Sequence, residues 1–98
     1  MGFQWDPDKD AANQAKHLIG FRQAAEIFRG FRLVREDRRR DYGERRFISL
    51  GLYDGTVLRV VYVERDGDIR LISAWKANRH DRQVYAEARA RARGARQV

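Results

Sequence analysis

Two Asp-Gly dipeptides, Asp54-Gly55 and Asp66-Gly67, constrain this chain more than any other feature. Asp and Gly tolerate the positive φ that a two-residue hairpin turn demands, so each dipeptide predicts a tight reversal between antiparallel strands. The flanking stretches, Arg45 to Tyr53, Val57 to Arg65 and Ile69 to Lys76, have the β-branched and aromatic content of strands in a meander. Counting back from each turn predicts a register. Tyr62 falls between Phe47 and Leu71, Arg45 opposite Glu64, Val60 opposite Ser73, and Trp75 opposite Leu58. The other face then carries Ile48, Leu50, Val61, Val63, Ile72 and Ala74; being nearly all aliphatic, it is expected to pack on the first two helices. The first face mixes aromatic, hydroxyl and charged groups and is the candidate working surface. Its large apolar side chains would call for a covering partner.

Upstream of the meander, Phe3 and Trp5 alternate with polar residues and predict a short opening strand that stops at Asp6-Pro7. Asp6 is placed to cap a helix with Pro7 at its first position, where a missing N–H costs nothing. That helix is expected to run to about His17, and Phe21, Ala24, Ala25 and Phe28 carry the spacing of a second one. Phe31 and Leu33 predict another strand, followed by a solvated loop over the charge run Glu36 to Asp41. After the meander, Asn78 and Asp81 approximate a capping box before a helix with Val84, Tyr85, Ala88 and Ala92 on one side. Residues 1–93 are read as a single domain, and 94–98 as a basic tail expected to fray. Strand, two helices, about four strands of antiparallel meander and a final helix make an α+β architecture.

The charge is lopsided: 21 Lys and Arg against 14 Asp and Glu give a formal net charge of +7, which points to polyanions as partners. Without cysteine, disulfides and thiolate metal sites are excluded. His17 and His80 lie far apart without the spacing of a helical zinc site, so no metal or other cofactor is expected. No apolar stretch approaches the roughly 18 residues needed to cross a bilayer, and the N-terminus lacks a basic segment followed by an apolar one, so the chain reads as cytoplasmic.

On these grounds alone the chain reads as a basic α+β domain suited to nucleic acid. Arg45 and Glu64 are either site residues or an ordinary cross-strand ion pair. Tyr62 and Phe47 are either stacking platforms for bases or core. Ser73 can equally satisfy a backbone group, and Tyr85 can equally be helix packing with its hydroxyl at the rim.

Two longer segments, F-Q-W-D-P-D-K-D-A-A-N-Q-A-K-H at 3–17 and Y-V-E-R-D-G-D-I-R-L-I-S-A-W-K-A at 62–77, resemble the most recognisable parts of the BrnT toxins. F-R-Q-A-A-E-I-F at 21–28 and G-E-R-R-F-I-S-L-G at 43–51 resemble the family's middle. The resemblance implies a RelE-like fold and a type II toxin–antitoxin module. In such a module the toxin cleaves RNA and slows growth. A BrnA-like antitoxin, itself resembling ribbon-helix-helix DNA-binding proteins, neutralises it in a complex of two copies of each, and the pair meets DNA only through the antitoxin. RNA supplies its own nucleophile, the 2′-hydroxyl. The protein need only align it, help remove its proton and stabilise charge on the phosphate oxygens, so a metal-independent endoribonuclease is expected. The resemblance directs attention to Arg46, Glu64, Arg65, Arg70, Ser73 and Lys76, with Glu64 as proton acceptor or orienter, the three arginines as phosphate ligands and Tyr85 as an auxiliary. Two positions depart from the family pattern. Leu18 stands where a glycine is usual, with glycine delayed to Gly20, and Trp75 stands where arginine is usual, which implies an attenuated copy. A basic domain that binds nucleic acid without cutting it is the alternative.

Overall fold

Asp54 and Gly55, with φ of 47° and 77°, and Asp66 and Gly67, with φ of 54° and 83°, all occupy the left-handed region that the two-residue reversals require. Around them the computed structural model describes residues 2–96. The elements run β1 (Phe3–Gln4), α1 (Pro7–His17), α2 (Phe21–Ala25), β2 (Arg32–Asp37), β3 (Arg46–Tyr53), β4 (Thr56–Arg65), β5 (Asp68–Lys76) and α3 (Arg79–Arg96). A 3₁₀ turn at Glu26–Arg29 follows α2. The strands form one sheet in the order β1-β5-β4-β3-β2. The expected meander is β2 to β5, all antiparallel, and β1 adds a fifth strand parallel to β5. α3 is helical to Arg96, beyond the boundary expected at residue 94; Gln97 and Val98, the end of that tail, lie outside the described residues. Among the described residues no helix is long and apolar enough to cross a membrane.

Local signals account for the helix ends. The Asp6 carboxylate accepts the Asp8 amide at 2.9 Å, and Pro7 opens α1. The Asp81 amide donates to Asn78 Oδ1 at 2.8 Å at the start of α3. Leu18 ends α1 with φ 62°, the left-handed conformation for which a glycine is best suited, and leaves its side chain exposed. Gly20 does not take over that reversal: it is extended, with φ −86°, and precedes α2. The second helix tightens into its 3₁₀ turn where Ile27 lies against Gly51, at which a Cβ would stand 2.6 Å from the Ile27 Cβ. The charge run also begins later than expected, because β2 carries Glu36 and Asp37 into the sheet.

The expected register holds from Phe47 opposite Tyr62 to Tyr62 opposite Leu71, and then slips by one. Val61 faces Ser73, Val60 faces Ala74, Arg59 faces Trp75 and Leu58 faces Lys76, leaving Ile72 as the extra residue of a β-bulge. Side chains alternate with period two, so a slip of one residue reverses the face of everything after it. Ser73 and Trp75 therefore leave the face of Tyr62, and Ala74 joins it.

The covered face is also the reverse of the expectation. α1 and α2 pack on the mixed face, where Leu58, Val60, Tyr62, Leu71 and Ala74 form one core with Ile19, Phe21, Ala24 and Ile27. The aromatic side chains decide this, since they offer the most area to bury: the Phe28 ring meets Tyr62 edge-on at 5.0 Å, and Phe47 stacks on Tyr62 at 5.9 Å. Tyr62 is thus core, and its hydroxyl is internal. Tyr62 Oη lies 2.8 Å from Ser49 Oγ and accepts from Arg32 at 3.1 Å. The apolar groups on this face already have their cover, so they give no argument for a partner. The opposite face receives α3, which buries Tyr85 beside Leu50, Val57 and Ala77.

The helical layer is fastened at one buried amide. β1 pairs with only Ile69 and Arg70, so β5 would present bare backbone further along. Asn13 takes that place: its Nδ2 donates to Ala74 O at 2.7 Å and Ile19 O at 2.8 Å, and its Oδ1 accepts the Ala74 amide at 3.1 Å. Removing the amide leaves buried backbone groups without partners, which typically costs about 1–3 kcal/mol. Asn13→Ala is expected to lower the unfolding free energy by about that amount in urea titration, and an unchanged midpoint would show that the Ala74 contacts carry no stability.

Candidate functional site

The face opposite α1 and α2 is covered by α3 at one end and has Ile48, Leu50, Val61 and Val63 buried along it; what it leaves open is organised in three transverse rows by the observed pairing. Asp37 lies beside Arg46, and Val63 beside Arg70, in the first row. Arg35, Ile48, Val61 and Ser73 make the second, and Leu33, Leu50, Arg59 and Trp75 the third. Successive rows are two residues, or on the order of 7 Å, apart. Arg46 and Arg70 thus bound one end, Arg59 and Trp75 the other, with Ser73 between them on β5.

The first row is held by ion pairs. Arg46 Nε and Arg65 Nη2 converge on Glu44, at 3.2 and 3.5 Å, and the Arg46 guanidinium lies 4.1 Å from the centre of the Tyr42 ring. Asp37 is buried beneath this corner, accepting from Arg39 Nε and Nη2, both at 2.8 Å, and from Tyr42 Oη at 2.9 Å. The Arg39 hydrogen bonds outweigh burial and hold the Asp37 carboxyl far below the usual carboxylate range.

In the third row, Arg59 Nη1 donates to Asp81 Oδ2 at 2.7 Å, with only 13% and 12% of the two side chains exposed. Its guanidinium carbon stands 5.8 Å from the Trp75 ring centre, and on the indole's side the His17 ring is 5.7 Å away. His80 joins Arg59, Asp81, Val84 and Leu33 in lining a cavity of about 240 Å³ between β2 and α3. The chain's two histidines, distant in sequence, therefore flank the Trp75–Arg59 pair. Histidine is the side chain suited to giving and taking a proton near neutral pH.

Of the residues singled out from the sequence, Arg46, Arg65, Arg70, Ser73 and Trp75 share this open face. The bulge brings Ser73 and Trp75 to it, whereas Glu64 alternates onto the opposite one. Lys76, exposed and opposite Leu58, also belongs to the other side. Tyr85 is buried, with its hydroxyl donating to Phe31 O at 3.2 Å. Arg45 pairs with Glu36 at 3.2 Å and not with Glu64. The residues not anticipated are Arg59, His17, His80 and Asp81. Arg59 had a signal: it is the lone charge inside the apolar run of β4, and a buried charge requires a partner. Among the described residues no cluster of three or more His, Asp or Glu side chains could hold a metal ion.

A family model for BrnT, the ribonuclease toxin of type II toxin–antitoxin systems, matches residues 5–81. This chain belongs to the BrnT family. Among solved structures, the ribonuclease toxin BrnT of Brucella abortus superposes with a TM-score of 0.66 at 24% sequence identity, over 81% of this chain and 99% of that one. No curated protein sequence matches significantly. The stretch matched by the BrnT model contains all three rows and ends at Asp81, the partner of Arg59.

The Asp37 cluster makes this BrnT chain sensitive to acid in a defined direction. A carboxylate whose folded pKa is depressed contributes stability above its unfolded value of about 3.9 and loses that contribution as pH falls towards the folded value. Asp37→Asn is expected to be less stable than the parent at pH 7 and to lose stability less steeply between pH 5 and 2. Parallel stability curves in the two proteins would remove Asp37 from the acid limb.

Proposed function

We propose that this chain cleaves RNA on the open face of its sheet, without a metal ion, and that its antitoxin silences it there. The observation that carries this reading is that Arg46, Arg65, Arg70, Ser73 and Arg59 share one face, with His80 lining the cavity beside Arg59 and His17 reaching the Trp75 ring from the end of α1. Guanidinium groups are permanently charged and grip phosphate oxygens with paired donors, so Arg46, Arg65 and Arg70 serve as phosphate ligands. Glu44 engages one donor of each of the first two, leaving the others for substrate. Proton removal from the 2′-hydroxyl falls to His17 or His80, which flank the third row, in place of Glu64. Ser73, between the arginine rows, orients the phosphate. Tyr85 and Lys76 take no part in the chemistry. The toxin and antitoxin assemble as two copies of each.

Replacing Arg46 or Arg70 with Gln is expected to weaken RNA binding and flatten its salt dependence, because fewer counterions are released on binding. Cleavage is expected to survive EDTA. Unchanged salt slopes in both variants would remove these arginines from the site, loss of cleavage on chelation would overturn the metal-free mechanism, and binding without strand scission would favour a non-catalytic module.

The Trp75 position makes this copy an attenuated one. An indole offers a single N–H and no charge, and losing one transition-state donor typically costs about 10²–10³ in rate. Here the ring packs beside His17 and Arg59, filling the space while withdrawing a cation from the row. Trp75→Arg is expected to produce far stronger growth arrest than the parent on induction without antitoxin. Equal or weaker arrest would show that the tryptophan is compatible with full activity.

A further inference from the structure

β2 is the outer strand of the sheet on the side away from β1, and its pairing shows which of its backbone groups are unused. In a two-residue hairpin the residues flanking the turn exchange both hydrogen bonds, here Tyr53 and Thr56, and bonded pairs then alternate. Gly51, Ser49 and Phe47 therefore direct their N–H and C=O groups toward β4, and Leu50, Ile48 and Arg46 direct theirs toward β2. The Ala77 amide, which donates to Val57 O at 2.9 Å, agrees with this alternation on the far side of β4. It follows that Leu33, Arg35 and Asp37 are bonded to β3, while Arg32, Val34 and Glu36 turn their N–H and C=O groups away from the sheet. Among the described residues, none of the hydrogen bonds formed outside the sheet ladder uses these six groups.

Of the devices that protect an edge, β2 uses charge alone, with Arg32, Arg35, Glu36 and Asp37 along it. β2 has no proline and no bulge, and Val34 is 47% exposed at its centre. Beside the edge, the cavity lined by Leu33, Leu50 and Val84 runs between β2 and α3. The surrounding charge is positive. Arg35 is exposed and forms no ion pair among the described residues, and Arg38, Arg39 and Arg40 follow the strand. The acidic residues of the strand are already committed, Glu36 to Arg45 and Arg38, and Asp37 to Arg39.

We infer that β2 is the docking edge for an extended acidic segment of the antitoxin, which adds to the sheet as a sixth strand through the outward groups of Arg32, Val34 and Glu36. The inference rests on the proposal that an antitoxin silences this chain. Alternate side chains of the added strand meet different surroundings. One set covers Val34; the other enters the β2–α3 cavity with apolar groups and meets Arg35 with a carboxylate. Because that cavity is lined by Arg59, His80 and Asp81, the inserted side chains lie against the third row of the open face. A second copy of this chain fits less well, since antiparallel pairing about Val34 and Arg35 would bring the unpaired arginines together.

The test uses the full chain co-purified with the small protein encoded beside its gene. Amide hydrogen exchange is read in the free chain and in the complex, alongside the affinity of Val34→Pro. Proline removes one outward N–H and leaves the β3 ladder intact. The expected result is slow exchange at Leu33 and Arg35 in both states, at least tenfold slowing at Arg32, Val34 and Glu36 only in the complex, and at least tenfold weaker binding by Val34→Pro. Retained slow exchange at Leu33 and Arg35 in the variant shows that its sheet is intact, and Val34→Thr, which keeps the N–H, is expected to bind as the parent does. A stable complex in which the outward amides still exchange freely and Val34→Pro binds normally would overturn the edge while sparing the partner reading. Absence of any complex would overturn both. Slow exchange at the outward amides in the chain alone, appearing with concentration, would assign the edge to a second copy.

Discussion

One surplus residue in β5 determines how this domain is put together. Before Ile72, the odd-numbered residues of β5 turn their backbone groups away from β4, as the bond from the Ile69 amide to Gly2 O shows. After the bulge the even-numbered residues do so, and Ala74 presents its N–H and C=O to Asn13. The same slip turns the Ala74 methyl into the aromatic core and delivers Ser73 and Trp75 to the opposite surface. Anchorage of the helical layer and composition of the open face are therefore two results of a single insertion. Bulges commonly re-aim side chains in this way next to sites of activity.

The electrostatics divide the arginines into two groups. Arg32, Arg39 and Arg59 are tied to internal partners: Tyr62 and Ser49, Asp37, and Asp81 respectively. Such contacts satisfy buried polar atoms, and among the described residues no buried side-chain nitrogen or oxygen lacks a partner. Their value lies in geometry more than in net stability, because removing charges from water offsets much of what pairing returns. Arg35 and Arg70, without ion pairs among the described residues, carry the surplus positive charge on the open face. A chain with a net charge of +7 thus directs part of it to one surface while using the rest as internal fastening.

Much of the architecture was legible because the signals were local. The Asp-Gly turns and the Asp6-Pro7 and Asn78 caps each act through neighbouring backbone, and the strands and helices they bound appear where they place them. The faces were not legible. Nothing in I-R-L-I-S-A-W marks Ile72 as surplus, since any of these residues fits a regular strand, and a slip is visible only where two strands meet. The choice of covered face also turned on long-range contacts. An aliphatic surface looks more like core residue by residue, but Phe21 and Phe28 on the helical side matched the aromatic one. For the site, the arginines and Ser73 were found through the family segments, whereas His17 and His80 were set aside because their separation fits no metal motif. Proximity in space requires no spacing in sequence.

The Asn13–Ala74 clasp joins positions 61 residues apart, and the bond between Gly2 N and Asp68 Oδ1 spans 66. Contacts this distant close slowly, because a long loop must be ordered before they form, while the hairpins of the meander close quickly through near neighbours. The order of assembly is then opposite to the order of synthesis. Residues 3–29 leave the ribosome first, yet the surface they cover does not exist until β5 has followed. A growing chain carries its aromatic residues uncovered through most of its translation, so the interval before β5 emerges is when this protein most needs protection from aggregation.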